Sequence, residues 1–111
     1  MTIQNVLAQA TVSDLTKAER WYSVVLDRGP DARPMNGLIE WHLGETFGVQ
    51  VWAEPERAGR SSIVLGESDL DGLAARLTEA GIDHPGPQQV TTSRILPLED
   101  LDGNRVVFTG A

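Results

Sequence analysis

TVSDLTKAERWYSVVL (residues 11–26) and GESDLDGLAARLTEAG (residues 66–81) are two versions of one pattern. Both contain Ser-Asp-Leu, which puts Asp14 and Asp69 in equivalent places. A strand-like run precedes each motif, NVLAQATV in the first and SSIVLGE in the second. Helical periodicity follows. Leu15, Ala18, Trp21, Tyr22, Val25 and Leu26 recur at steps of three and four, as do Leu70, Leu73, Ala74, Leu77 and Ala80. Asp14 and Asp69 suit the N-cap, where a short side-chain oxygen accepts from an otherwise unpaired helix N–H. Gly29 and Gly81 stand where each helix should stop, and glycine tolerates the left-handed turn there.

Outward from each helix the chain turns to extended sequence broken by turn residues. In the first half DARPM, LIEWHLG and GVQVWAE read as strands, punctuated by Asn36-Gly37 and by residues 45–48. In the second half the strands are QQVTTSR, ILPLED and RVVFTG, the last two joined through Asp102-Gly103-Asn104. Such pairs favour tight hairpins because their residues accept positive φ. Val49, Val51 and Ala53 alternate with Gln50, Trp52 and Glu54, so that strand has two unlike faces.

The expected fold is therefore α+β: two tandem βαβββ modules forming a curved mixed sheet around a cavity. The domain spans residues 1–111, with module one at about 3–54, a linker at about 54–60 and module two at about 61–110. Each helix covers one sheet face, and the uncovered faces are where function is expected.

Composition narrows the function. With 111 residues the chain holds one modest core. It has no cysteine, which excludes disulfides, iron–sulfur clusters, cysteine zinc sites and thiol nucleophiles. Its net charge of −7 opposes nucleic-acid binding, which needs clustered Lys and Arg. It gives at most a weak pull on a cationic ligand. Met1 to Asn5 carry no signal-peptide pattern and no run reaches membrane-spanning length, so a cytoplasmic protein with no membrane partner is expected.

At this point SDLTKAERWYSVVLDRGP (13–30) and EDLDGNRVVF (99–108) together resemble the vicinal oxygen chelate superfamily of glyoxalases, bleomycin-resistance proteins and extradiol dioxygenases. Trp21 stands where the family usually has Phe, and Leu101 where it usually has Pro. The resemblance implies that a catalytic member would take metal ligands from the first and last strands of each module. Here those positions hold Leu7, Ser62, Val107 and either Gln50 or Trp52. Leu and Val have no lone pair to give, and Ser and Gln alone make no divalent-metal site. No metal and no cofactor is expected. The resemblance also implies a two-fold homodimer with its cavity completed near the subunit boundary.

Strand parity collects Leu7, Gln9, Gln50, Trp52, Ser62, Val64 and Val107 on the expected cavity face. Trp41 and Trp52 are candidates for an aromatic wall, or for filling the core or an interface; Trp21 belongs to the core. Arg94 is a candidate for an anionic ligand group or a surface residue. Glu40 and His42 lie two residues apart and share a strand face, a conceivable acid–base pair. His84, in GIDHPGP, reads as a surface turn residue, and Ser61 and Ser62 lack a nucleophile elbow. No catalytic residue is assigned. The expected function is metal-independent binding of a small organic molecule, aromatic or cationic. The alternatives are an enzyme of the same fold, glyoxalase-like or dioxygenase-like, and a dimeric regulatory module.

Overall fold

The computed structural model describes residues 2–110. The first half contains strand β1 (Val6–Val12), helix α1 (Leu15–Leu26), and strands β2 (Ala32–Met35), β3 (Leu38–Trp41) and β4 (Phe47–Ala53). A single 3-10 turn at Pro55–Arg57 leads on to β5 (Ser62–Glu67), α2 (Leu70–Glu79), β6 (Gln88–Gln89), β7 (Arg94–Glu99) and β8 (Arg105–Gly110). Each half is a βαβββ module with its own mixed sheet, in strand orders β1-β4-β3-β2 and β5-β8-β7-β6. In both, the first strand runs parallel to the last, and the remaining pairs are antiparallel.

The helices begin where their aspartates say. Asp14 accepts from the Lys17 N–H and Asp69 from the Gly72 N–H, both at 3.0 Å. Their ends differ. After α2, Gly81 takes the left-handed conformation with φ 80°. After α1 that role falls to Asp27, at φ 58°, and Gly29 is not among the positive-φ residues. The helix thus stops two residues before the expected glycine, because a short polar side chain also tolerates this region.

Strand ends have local causes as well. Leaving β3, the His42 N–H donates to Asp31 Oδ2 at 2.7 Å instead of continuing the ladder. That bond is the first cause holding the Asp31 carboxyl below its usual value, ahead of the Arg28 guanidinium. In the second module the expected QQVTTSR strand shortens to Gln88–Gln89, and Val90 N–H closes a turn onto Ser93 O.

The core lies between sheets and helices. Strand residues of one parity enter it: Ala10 and Val12, Ile39 and Trp41, Val49 and Val51, Ile63, Leu96 and Leu98, Val106 and Phe108. They meet Ala18, Tyr22 and Val25 of α1 and Leu70, Leu73 and Leu77 of α2. Residues of the other parity face away from the helices, which is what a period of two requires.

A buried polar cluster joins the modules. Asn104 is 0% exposed. Its Nδ2 donates to Thr11 O and to Asp100 Oδ2, each at 2.8 Å, and its Oδ1 accepts from Ser61 N at 2.8 Å. Asp100 also accepts from the Tyr22 hydroxyl at 2.7 Å and from the backbone N–H groups of Asp102 and Asn104. Burial, followed by the Asp100 carboxylate, pushes the Tyr22 hydroxyl far above its ordinary pKa, so it remains a donor. Ser61 Oγ accepts from Thr11 N at 3.0 Å, which seals part of the free edge of β1. The Asp-Leu-Asp-Gly-Asn turn is therefore a clasp between strand β1, helix α1 and the β7–β8 hairpin.

Candidate ligand-binding face

Two surfaces turn away from the helices. On module one, Gln9 of β1 pairs with Gln50 of β4, which pairs with Glu40 of β3. Their side chains continue the pairing as a row of hydrogen bonds. Gln9 Nε2 donates to Gln50 Oε1 at 2.6 Å, and Gln50 Nε2 donates to Glu40 Oε2 at 2.9 Å. Glu40 Oε1 then meets His42 Nε2 at 3.0 Å. The Glu40 side chain is 13% exposed and that of His42 51%, so the carboxylate is sheltered and the ring is open to water.

Two residues beyond Gln50, Trp52 is half-buried on the same strand face. Its indole N–H donates to Glu54 Oε1 at 2.9 Å, and Glu54 also pairs with Arg57 at 3.5 Å. The ring lies over Gly37, where an added Cβ would sit 3.4 Å from it; Gly37 holds φ 86° in the β2–β3 turn. Trp52 is thus fixed at its polar tip and along one side. Leu7 is half-buried nearby, and the groove at that end, about 470 Å³, is lined by Leu7, Glu40, His42, Glu45 and Phe47.

On module two, Ser62 and Val64 of β5 lie on the open face, with Val64 paired to Val107 and Val107 to Pro97. Val64 is 63% exposed. A groove of about 690 Å³ runs over Ile95, Pro97 and Val107, between Glu99 and Arg105 and the Asp83–Pro85 loop. That loop is tied to α2. His84 Nδ1 accepts from Gly86 N at 3.0 Å, while Nε2 lies 3.1 Å from Ala74 O and 2.8 Å from Thr78 Oγ1. His84 is accordingly a half-buried loop tie rather than a surface turn residue.

The structure brings Leu7, Gln9, Gln50 and Trp52 together on one module and Ser62, Val64 and Val107 on the other. Two expected site residues are elsewhere. Trp41 is 0% exposed, packed 6.0 Å from the Tyr22 ring, with its indole N–H donating to Arg28 O at 2.9 Å. Arg94 points to the helix side and forms a two-pronged pair with Asp71 of α2 at 2.9 and 3.1 Å. Both corrections have one cause. Trp41 alternates with Glu40 and His42, and Arg94 keeps the parity of buried Leu96 and Leu98, so neither side chain can reach the open face.

Ile95, Pro97 and Arg105 were not singled out from the sequence, and Glu40 and His42 were noted only as a conceivable acid–base pair. Their strand parity was available there, but their pairing with Gln50 or Val107 depends on strand order.

No family model matches the sequence, and no curated protein matches it significantly. Solved structures do match. A glyoxalase/bleomycin resistance protein from Catenulispora acidiphila DSM 44928 superposes with a TM-score of 0.88 at 26% identity, covering 96% of this chain and 97% of that one. TnmS3, an antibiotic binding protein from Streptomyces sp. CB03234, gives 0.84 at 25% identity over 99% and 98%. A bleomycin-binding protein complexed with bleomycin gives 0.81 at 18% identity over 96% and 98%.

The chain has the vicinal oxygen chelate fold.

Within that fold, the strand positions singled out as potential metal ligands carry Leu7, Ser62, Val107 and either Gln50 or Trp52. Among the described residues no three His, Asp or Glu side chains gather as a metal site would need. Also among them, no helix is long and apolar enough to cross a membrane.

Proposed function

We propose that this protein is a metal-independent binder of a small organic molecule, of the glyoxalase/bleomycin-resistance type, acting in the cytoplasm by equilibrium capture. One observation carries the reading: a pinned, half-exposed indole at Trp52 stands beside the amides of Gln9 and Gln50 on an open sheet face. An aromatic plate with a few oriented polar groups is what a planar organic guest needs. Leu7 and Val107, at positions from which a metal would be held, add apolar wall instead of charge. The likeness to an antibiotic binding protein and to a bleomycin-binding protein supports the same reading.

The working unit is a homodimer. Val6, Phe47 and Val64 are 66%, 56% and 63% exposed and line one end of the junction between the sheets. A second copy would cover them and close the open faces. Sedimentation equilibrium should give twice the chain mass.

Equilibrium dialysis against planar neutral and cationic aromatic compounds tests the function. Binding is expected for members of the panel, to be weakened by Trp52→Ala and unaffected by chelators. Absence of binding across the panel, or stoichiometric metal in untagged protein, would reject it.

The Glu40–His42 pair favours one second reading, a metal-free acid–base enzyme. A sheltered carboxylate 3.0 Å from an exposed imidazole can in principle exchange protons with a guest. That reading requires ligand turnover, which Glu40→Gln would abolish. The binder reading requires recovery of the ligand unchanged.

A further inference from the structure

The direction of the amide row follows from its last member. An ionised carboxylate only accepts hydrogen bonds, so Glu40 obliges Gln50 to present its NH₂ group. Gln50 must then turn its oxygen toward Gln9, and Gln9 must answer with its own NH₂ group. What remains open on exposed Gln9 is its carbonyl oxygen and its second N–H, an acceptor beside a donor. Trp52 lies diagonally across the β1–β4 ladder from Gln9, because Gln9 faces Gln50 and Thr11 faces Trp52. One strand spacing of about 4.8 Å and two residues of rise put such neighbours roughly 8 Å apart, about the reach of a fused aromatic system.

We infer that this face selects planar polycyclic ligands that carry an N–H next to a carbonyl, as in a secondary lactam. The lactam edge meets the free edge of Gln9 while the rings lie on Trp52. Glu40 does not touch the ligand. It is a positioning residue that holds the acceptor of Gln9 outward through Gln50. This deepens the small-molecule reading above and rests on it.

The decisive comparison uses phenanthridin-6(5H)-one and its N-methyl derivative, which share ring area but differ in the one donor. Equilibrium dialysis of the full chain should show the N–H compound binding about tenfold more tightly, the value of roughly one neutral hydrogen bond with its desolvation. In Gln9→Leu the two compounds should bind alike, no more tightly than the N-methyl compound binds the unaltered protein. In Glu40→Gln the row is free to reverse. Gln9 then presents only N–H groups, and the preference should fall to about two- to threefold, with N-methyl binding unchanged. A purely structural role for Glu40 would weaken both compounds equally. Equal binding of both compounds to the unaltered protein overturns the inference and leaves the small-molecule reading standing. An undiminished preference in Glu40→Gln removes Glu40 from it. Failure of both compounds, and of the wider panel, sinks the small-molecule reading with it. If Gln9→Leu fails to fold, the compound pair on the unaltered protein still decides.

Discussion

Module one and module two share a backbone plan and differ in how they finish their open faces. In module one the side chains bond to one another, from Gln9 through Gln50 and Glu40 to His42, and Trp52 is held by Glu54. In module two, Ser62, Val64, Pro97, Glu99, Arg105 and Val107 make no such side-chain bonds among the described residues. Their groove of about 690 Å³ is shaped mainly by apolar floor and loop. One face has its polar groups oriented before any guest arrives; the other offers area and the Arg105 guanidinium, which has no side-chain partner among the described residues. The same repeat can therefore supply selectivity from one copy and contact surface from the other.

The largest test concerns the two faces of module one. Trp41→Ala should destabilise the protein by about 3–5 kcal/mol in urea unfolding, since it empties a buried site and leaves Arg28 O without its donor. Trp52→Ala, on the open face, should cost about 1 kcal/mol yet abolish most ligand affinity. Reversal of that order would mean that the faces had been assigned the wrong way round.

Next comes the clasp that joins the modules. Asn104→Ala should cost about 2–4 kcal/mol, because Ser61 N loses its partner, buried Asp100 Oδ2 loses a donor and Thr11 O keeps only the longer bond from Gly59 N at 3.3 Å. A change near zero would show that the two halves do not depend on this cluster.

Gly37→Ala sharpens the comparison at smaller scale. It places a side chain at φ 86° and 3.4 Å from the Trp52 ring, for about 1–2 kcal/mol of stability. Ligand affinity should fall with it. A glycine of module two, Gly103 in the β7–β8 turn, holds φ 92° with nothing within 4 Å, so Gly103→Ala should act through the backbone alone and spare ligand affinity.

The smallest effects are electrostatic, one in each module. Hydrogen bonding to Arg33 is the leading cause that lowers the Glu19 carboxyl, and hydrogen bonding to Arg94 does the same to Asp71. A carboxyl lowered in the folded state contributes stability above its unfolded pKa and loses it as pH falls through the folded one. Asp71→Asn and Glu19→Gln should each slightly flatten the acid limb of stability against pH, leaving neutral pH almost unchanged. Both pairs lie at the surface, so salt should shrink the difference further. A large shift at neutral pH would contradict the exposure of these groups.

Much of this architecture was legible before any coordinates. The repeated Ser-Asp-Leu, followed by helical spacing, locates both helices because capping and burial periodicity act within a few residues. Strand parity likewise separates Gln50 and Trp52 from Val49 and Val51. It also carried the answer for Trp41, whose neighbours Glu40 and His42 claim the other face. Of the two roles open to this indole, pocket wall or core, that alternation already favoured the core. Arg94, open between an anion site and a surface role, is likewise placed off the open face by the parity of Leu96 and Leu98.

The remaining features were not legible, for a different reason. Asn104 reaches Thr11 across 93 positions, and Asp100 reaches Tyr22 across 78. Sequence marked their turn by a family resemblance but not by its task as a clasp. Nor did it connect Gln9 with Gln50, 41 residues apart, or align either with Glu40.

By itself the sequence determined the local elements and the sidedness of each strand, since those depend on near neighbours and on period. Only the tertiary structure decided which strands lie together, and hence which polar atoms meet. A hydrogen bond is specific to distance and direction, and both are set by register between distant segments rather than by the residues alone.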